Sequence, residues 1–149
     1  MTASVQQAAA KSWRVNYDTF ANADFRTINE AMSSESVTDG DTLYLDKGCR
    51  LNDQQTVSKA VTIIGPGYFI GENNADEAYI NNDVYIVADG VKLTGLHTNS
   101  IYVRAADAVV ERCRVTGTIF DIRSKQLTLG KAQTRLVLPS LTRCFMFYR

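Results

Sequence analysis

The sequence predicts an all-β protein: a short coil of parallel strands, a parallel β-helix, entered through an N-terminal helical cap. Three observations carry this. Apolar residues alternate with polar ones in runs of three to six that stop at Asp, Asn, Gly, Ser or Thr, the period of a half-buried strand. The segment DGVKLTGLHTNSIYVRAA (89–106) is copied by DAVVERCRVTGTIFDIRS (107–124) at an offset of 18 residues, the mark of a stacked repeat. Finally, the two-residue Asn-Gly and Asp-Gly turns that hairpins require are sparse. Parallel strands in an α/β sheet need crossover helices, and none lie between these runs.

Taken in order, residues 1–12 are small, polar and unpatterned, and are expected to be a disordered lead-in. In SWRVNY (12–17), Trp13, Val15 and Tyr17 alternate as a first strand. NADFRTINEAMSSES then carries the helical cap at 24–34, with Asp24 as the expected N-cap. Ile28, Ala31 and Met32 recur there at helical spacing. Beyond it the period becomes two. DTLYLD points Leu43 and Leu45 one way, and AVTIIG does the same with Val61 and Ile63 before Gly65, Pro66 and Gly67 turn the chain. DVYIVADG, GVKLTGL, SIYVRA, AVVERCRVTG and TIFDIR continue in the same style.

In the 18-residue alignment Val91 stands over Val109, Gly95 over Cys113, Thr98 over Thr116, Ile101 over Ile119 and Tyr102 over Phe120. Leu93 falls over Glu111, which signals a register slip of one residue at that strand. The β-helix domain is assigned to 13–124. Residues 125–149 leave the pattern, as an unusual cap or an off-pattern tail of a truncated or frame-shifted longer parent.

On these segments the chain resembles right-handed β-helix proteins of the pectin-lyase-like superfamily. FRTINEAMSSESVTDGDTLYLDKG looks like their capping helix and first strand, VSKAVTIIGPG like the next rung, and ADGVKLTGL and ADAVVERCRVTG like interior rungs. The match covers about residues 12–121 and is similar to secreted β-helix repeat proteins of Bacteroidetes. Where that family commonly has Gly-Thr-Tyr, this chain has GCRL, and Cys49 has no sequence-level explanation. The resemblance implies a fold and leaves chemistry open, because the superfamily hosts lyases, hydrolases, esterases, adhesins and spikes.

Composition excludes several functions. Sixteen basic and sixteen acidic residues cancel, so nothing points to nucleic acid. Six basic residues follow Asp121 and no acid does. No apolar run approaches the ~18 residues of a membrane span. Cys49, Cys113 and Cys144 fit no zinc spacing and read as buried free thiols. Gly65, Gly67 and Gly71 open no helix, so they form no phosphate cradle. The N-terminus resembles a mature exported chain, and a secreted, periplasmic or cell-surface location with the export signal removed is expected.

The expected function is a non-catalytic module that binds glycans or serves as scaffold. The alternatives are a fragment of a polysaccharide lyase or hydrolase, and a self-assembling spike or adhesin, joined end to end or side by side. Tyr102 and Phe120 on outward positions, with Arg104 or Arg123 beside them, are the expected ligand-binding residues, and polysaccharide the expected partner. No catalytic residue and no metal ligand is assigned. No cofactor is expected; calcium enters only with the lyase alternative, in which the acids Asp83, Asp89, Asp107 and Asp121 would matter. Asp89 and Asp107 are expected to cap turns, and His97, the one histidine, to be a turn or surface residue.

Overall fold

A computed structural model describes residues 9–67 and 76–121, and beyond them the strands at 127–129, 133–137 and 145–146. The chain starts with β1 (Ser12–Val15), crosses a 3-10 turn at Thr19–Ala21 and reaches helix α1 (Ile28–Ser33). Repeated passes follow. The first is β2 (Thr42–Leu45), β3 (Arg50–Leu51) and β4 (Gln55–Val57). The second is β5 (Thr62–Ile64), β6 (Tyr79–Ile80) and β7 (Val84–Ile86). The third is β8 (Lys92–Thr94), β9 (His97–Thr98) and β10 (Ile101–Val103). In the fourth, β11 (Ala108–Glu111) leads into one long strand, β12 (Arg114–Asp121). The strands β13 (Leu127–Leu129), β14 (Gln133–Val137) and β15 (Phe145–Met146) complete the order.

These strands form two sheets. One has the order β1-β2-β5-β8-β11-β13-β15, the other β3-β6-β9-β12-β10-β7-β4, with β14 also on β12. Every described strand pairing is parallel. The protein is therefore all-β with parallel sheets, and sheet neighbours come from successive passes. Three strands within 125–149 pair into the same two sheets. Residues 1–8 of the lead-in expected at 1–12, the YFIGEN stretch that follows Gly67, Arg123 and Cys144 lie outside the described residues, while Ser12 belongs to β1.

Alternation within each strand makes the core. Leu43, Ile63, Leu93 and Val110 stand in register at the middle of the first sheet, each fully buried. On the second sheet Val84, Ile101 and Ile119 form one such column and Val57, Ile86 and Val103 another. Each of these side chains contributes about 1.5–3 kcal/mol by leaving water. Short strands such as β3, β4, β6 and β9 escape the sequence reading, because RL, QTV, YI and HT are too brief to show a period.

The repeat register differs from the 18-residue alignment in its first two strands. Leu93 pairs with Val110 and Thr98 with Val115, an offset of 17, while Ile101 pairs with Ile119, an offset of 18. The slip signalled by Glu111 is real, and it extends through Val115. The additional residue enters between Val115 and Ile119, around Gly117. A Cβ there would lie 2.5 Å from Ser100 Oγ and 2.8 Å from the Asn99 carbonyl, so only glycine fits. Gly95 accordingly stands over Arg112, not over Cys113, and Asp107 over Gly90, not below Asp89.

Helix α1 begins three residues later than expected. Thr27 is the N-cap and accepts from the Glu30 N–H at 3.0 Å. Asp24 instead accepts the Arg14 N–H of β1 at 2.7 Å. An Asx-type cap was predicted at Asp24 because the residue type suits both roles; the docking of residues 24–25 on β1 decides between them.

Asp41 ties the first two strands together. Its carboxylate is buried and accepts from Lys11 N (2.8 Å), Trp13 Nε1 (2.9 Å) and Thr38 N (3.0 Å). Burial alone would raise its pKa; the donated hydrogen bonds outweigh burial and hold it below the usual carboxylate range. The two Asp-Gly turns join passes in one shared way. Asp39 accepts the Ala60 N–H (2.9 Å) while Gly40 N donates to the Ala60 carbonyl (2.8 Å). Asp89 accepts the Ala106 N–H (2.8 Å) while Gly90 N donates to the Ala106 carbonyl (3.0 Å).

Candidate functional site

Two outward columns run side by side on the second sheet. In the first, Thr56, Tyr85, Tyr102 and Phe120 stand in register on β4, β7, β10 and β12. Outward aromatics that repeat at strand spacing must meet ring to ring, since parallel strands lie about 4.8 Å apart. The rings of Tyr85 and Tyr102 are 4.6 Å apart and 8° from parallel; those of Tyr102 and Phe120 are 4.7 Å apart at 10°. The Arg104 guanidinium carbon sits 5.1 Å from the Tyr85 ring centre. Partial loss of solvation, helped by Asp83 and Tyr85, raises the Tyr102 pKa, so its hydroxyl stays protonated in neutral solution.

The structure thus brings together the expected residues Tyr102, Phe120 and Arg104, and adds Tyr85. Tyr85 was findable: VYI at 84–86 has the same outline as IYV at 101–103 and IFD at 119–121. The arrangement differs from a flat platform. Ring faces are engaged with one another inside the ladder, so what faces outward is ring edges and two phenol hydroxyls. All three rings are half-buried.

The second column is Arg50, Tyr79, His97 and Arg114. Arg50 lies over Tyr79 at 5.7 Å, and the Tyr79 and His97 rings are 4.3 Å apart. The Tyr79 hydroxyl is 3.1 Å from both Asn81 Oδ1 and Asn99 Oδ1. His97 is no turn residue. It sits on β9, and its Nδ1 lies 2.7 Å from Oε2 of the buried Glu77, with Arg114 Nη1 3.7 Å from the other carboxylate oxygen. The carboxylate accepts, so Nδ1 carries the proton. Nε2 is enclosed and has no hydrogen-bond partner among the described residues. A base must reach its proton, and this nitrogen faces no open space, so the pair is an internal one. Sequence reasoning missed it because Glu77 is 20 residues from His97 and meets it only across a strand pairing.

The four acids take separate places. The Asp83 carbonyl accepts the Gln55 N–H, Asp89 holds Ala106, Asp107 stands over Gly90 with φ of 54°, and Asp121 is buried on the interior side of β12. Among the described residues no three His, Cys, Asp or Glu side chains group as metal ligands. Cys49 and Cys113 are buried free thiols. Burial raises the pKa of both, that of Cys113 to about 12, and Cys49 also receives a hydrogen bond from the Tyr17 backbone. Among the described residues, no helix is long and apolar enough to cross a membrane.

No family model matches the chain, and neither a curated protein nor a solved structure matches it.

Proposed function

We propose that the passes wind as a short right-handed parallel β-helix of the pectin-lyase-like kind, and that the chain is a non-catalytic exported module binding polysaccharide along its Tyr85–Tyr102–Phe120 flank. The strand order and parallel register support the winding: each pass adds one neighbour to every column. The observation that carries the binding reading is the stacked ladder with Arg104 against it. Aromatic edges are the positive rim of the ring quadrupole. Together with the hydroxyls of Tyr85 and Tyr102 and the Arg104 guanidinium, they suit an oxygen-rich ligand approaching from the side.

The test is a glycan array of neutral and uronate polysaccharides probed with the full chain, alongside a lyase assay that follows unsaturated product. Binding to one polysaccharide class that falls about ten-fold or more in Tyr102→Ala, about 1.4 kcal/mol, agrees with the proposal. Binding that survives unchanged in Tyr85→Ala and Tyr102→Ala, or formation of unsaturated product, overturns it. A pure scaffold is the second reading, favoured by the engagement of ring faces within the ladder.

A further inference from the structure

We infer that the loop between β1 and α1 is a docking surface for a second copy of this chain, received head to tail by the basic segment that follows Asp121. The loop is built to hold aromatic rings out in water. Its base is closed on β1: Phe25 N donates to the Arg14 carbonyl at 3.1 Å and Asn16 N to the Phe25 carbonyl at 3.0 Å. The Phe25 ring lies 5.5 Å from that of Trp13. Short polar side chains fix the tip. Asn16 Oδ1 accepts the Asp18 N–H (3.0 Å), Asp18 Oδ1 accepts the Phe20 N–H (2.9 Å) and the Asp18 carbonyl accepts the Ala21 N–H (3.1 Å). Asn22 turns the chain with φ of 49°, and Arg26 lies 4.8 Å from the Tyr17 ring centre while donating to the Tyr17 carbonyl at 3.3 Å. Phe20 is thereby left 94% exposed and Tyr17 46%. An aromatic ring on a loop already held in place gives up little freedom on entering a partner, which is what an interface anchor needs.

Charge selects the partner. Between β1 and β2 the exposed acids Asp18, Asp24, Glu30, Glu35 and Asp39 face a single base, Arg26. Such a surface repels nucleic acid or an anionic lipid surface and suits a basic protein surface. This chain carries one. After Asp121 come six bases and no acid, in a segment that also contains Phe145, Phe147 and Tyr148. The two segments belong to opposite ends of the first sheet. β1, with the loop bridged to it at Val15 and Phe25, is its first strand, and β13 and β15 are its last two. Helix α1 sits at the loop's end of the fold, on the end strand β4 of the second sheet. There Asn29 Oδ1 accepts the Thr56 N–H at 2.8 Å and Asn29 Nδ2 donates to the Gln54 carbonyl at 2.7 Å. Because the complementary surfaces are different parts of one chain at different ends, they meet head to tail and not about a two-fold axis.

Sedimentation velocity of the full chain, over one concentration series at about 0.02 M and about 0.5 M salt, tests this; the higher salt shortens the electrostatic range about five-fold. The expected result is reversible association at low salt that is lost at high salt. Phe20→Ser, at a position with almost no packing in the monomer, should need about ten-fold more protein to associate. Two double variants test the polarity of the contact. Phe20→Lys with Glu35→Lys alters the loop, and Lys125→Glu with Lys131→Glu, both outside the strands, alters the basic segment. Each alone should associate at least about ten-fold more weakly than the native chain. Their equimolar mixture should give dimers and nothing larger, because one intact surface of each kind remains. A native chain that stays monomeric at both salts overturns the inference, whether or not a polyanionic resin retains it. So does association indifferent to salt and to Phe20→Ser, or a mixture that stays monomeric while both double variants are folded by circular dichroism. If either double variant fails to fold, the salt series and Phe20→Ser decide alone.

Discussion

Gly95 and Arg112 occupy the same corner of successive passes, and both are left-handed, with φ of 69° and 51°. Glycine adopts that conformation freely, whereas an L side chain there costs about 1–2 kcal/mol. Arg112→Gly should therefore stabilise the chain by about 1 kcal/mol, raising Tm by about 2–4 °C for a chain of this size. Thermal unfolding followed by circular dichroism checks it. An unchanged or lower Tm would show that Arg112 contributes more through its side chain than the corner costs.

Asp41 should be a point of acid sensitivity. Asp41→Ala strands the donors of Lys11, Trp13 and Thr38 and should cost about 3 kcal/mol. The folded pKa lies below the unfolded one, so the stabilisation is fully present above the ordinary carboxylate pKa of about 4. It is lost as pH falls through the depressed folded value. Urea midpoints measured from neutral pH downward should fall in the native chain and fall less steeply in Asp41→Asn.

Burial should leave Cys113 unreactive at pH 8, since the thiolate is the nucleophile and its pKa is about 12. Cys49, also raised by burial, should be slow as well. Site-resolved mass spectrometry after a thiol reagent should find both unmodified in the native chain and both modified in denaturant. Fast native labelling of Cys113 would contradict its enclosed position.

Two variants separate packing from binding at the ladder. Tyr102 stacks on both Tyr85 and Phe120, so Tyr102→Ala should cost about 2 kcal/mol of stability. Tyr102→Phe keeps the stack and should leave Tm within about 2 °C while weakening polysaccharide binding. Equal binding by Tyr102→Phe would assign the interaction to ring edges and Arg104 instead of the hydroxyl.

Glu77, which meets His97 of the second column, should be the charged residue there most sensitive to substitution. Removing one member of a buried pair costs about 3–5 kcal/mol, and Glu77→Ala would leave His97 Nδ1 without its acceptor. Glu77→Gln keeps an acceptor oxygen and should cost less than half as much. Chemical denaturation of both variants makes the comparison.

Much of this was legible in the sequence. Alternation placed Leu43, Ile63, Leu93 and Ile101 inside, and IYV over IFD placed Tyr102 and Phe120 together outside, because strand period is a local property of two neighbouring residues. The Asp-Gly pairs marked turns, though their partners Ala60 and Ala106 lie in the next pass. Short strands such as QTV and YI carry too few residues to show a period.

The sequence by itself determined the class of fold, the interior columns and the aromatic pair at its flank, since each follows from spacing along the chain. Only the tertiary structure decided the 17-residue register, the bulge at Gly117, the meeting of Glu77 with His97 and the docking of Asn29 on β4. Those depend on which groups touch once passes are stacked. A residue can be absorbed at any turn until contact with Ser100 and the Asn99 carbonyl leaves room for it only where no Cβ stands.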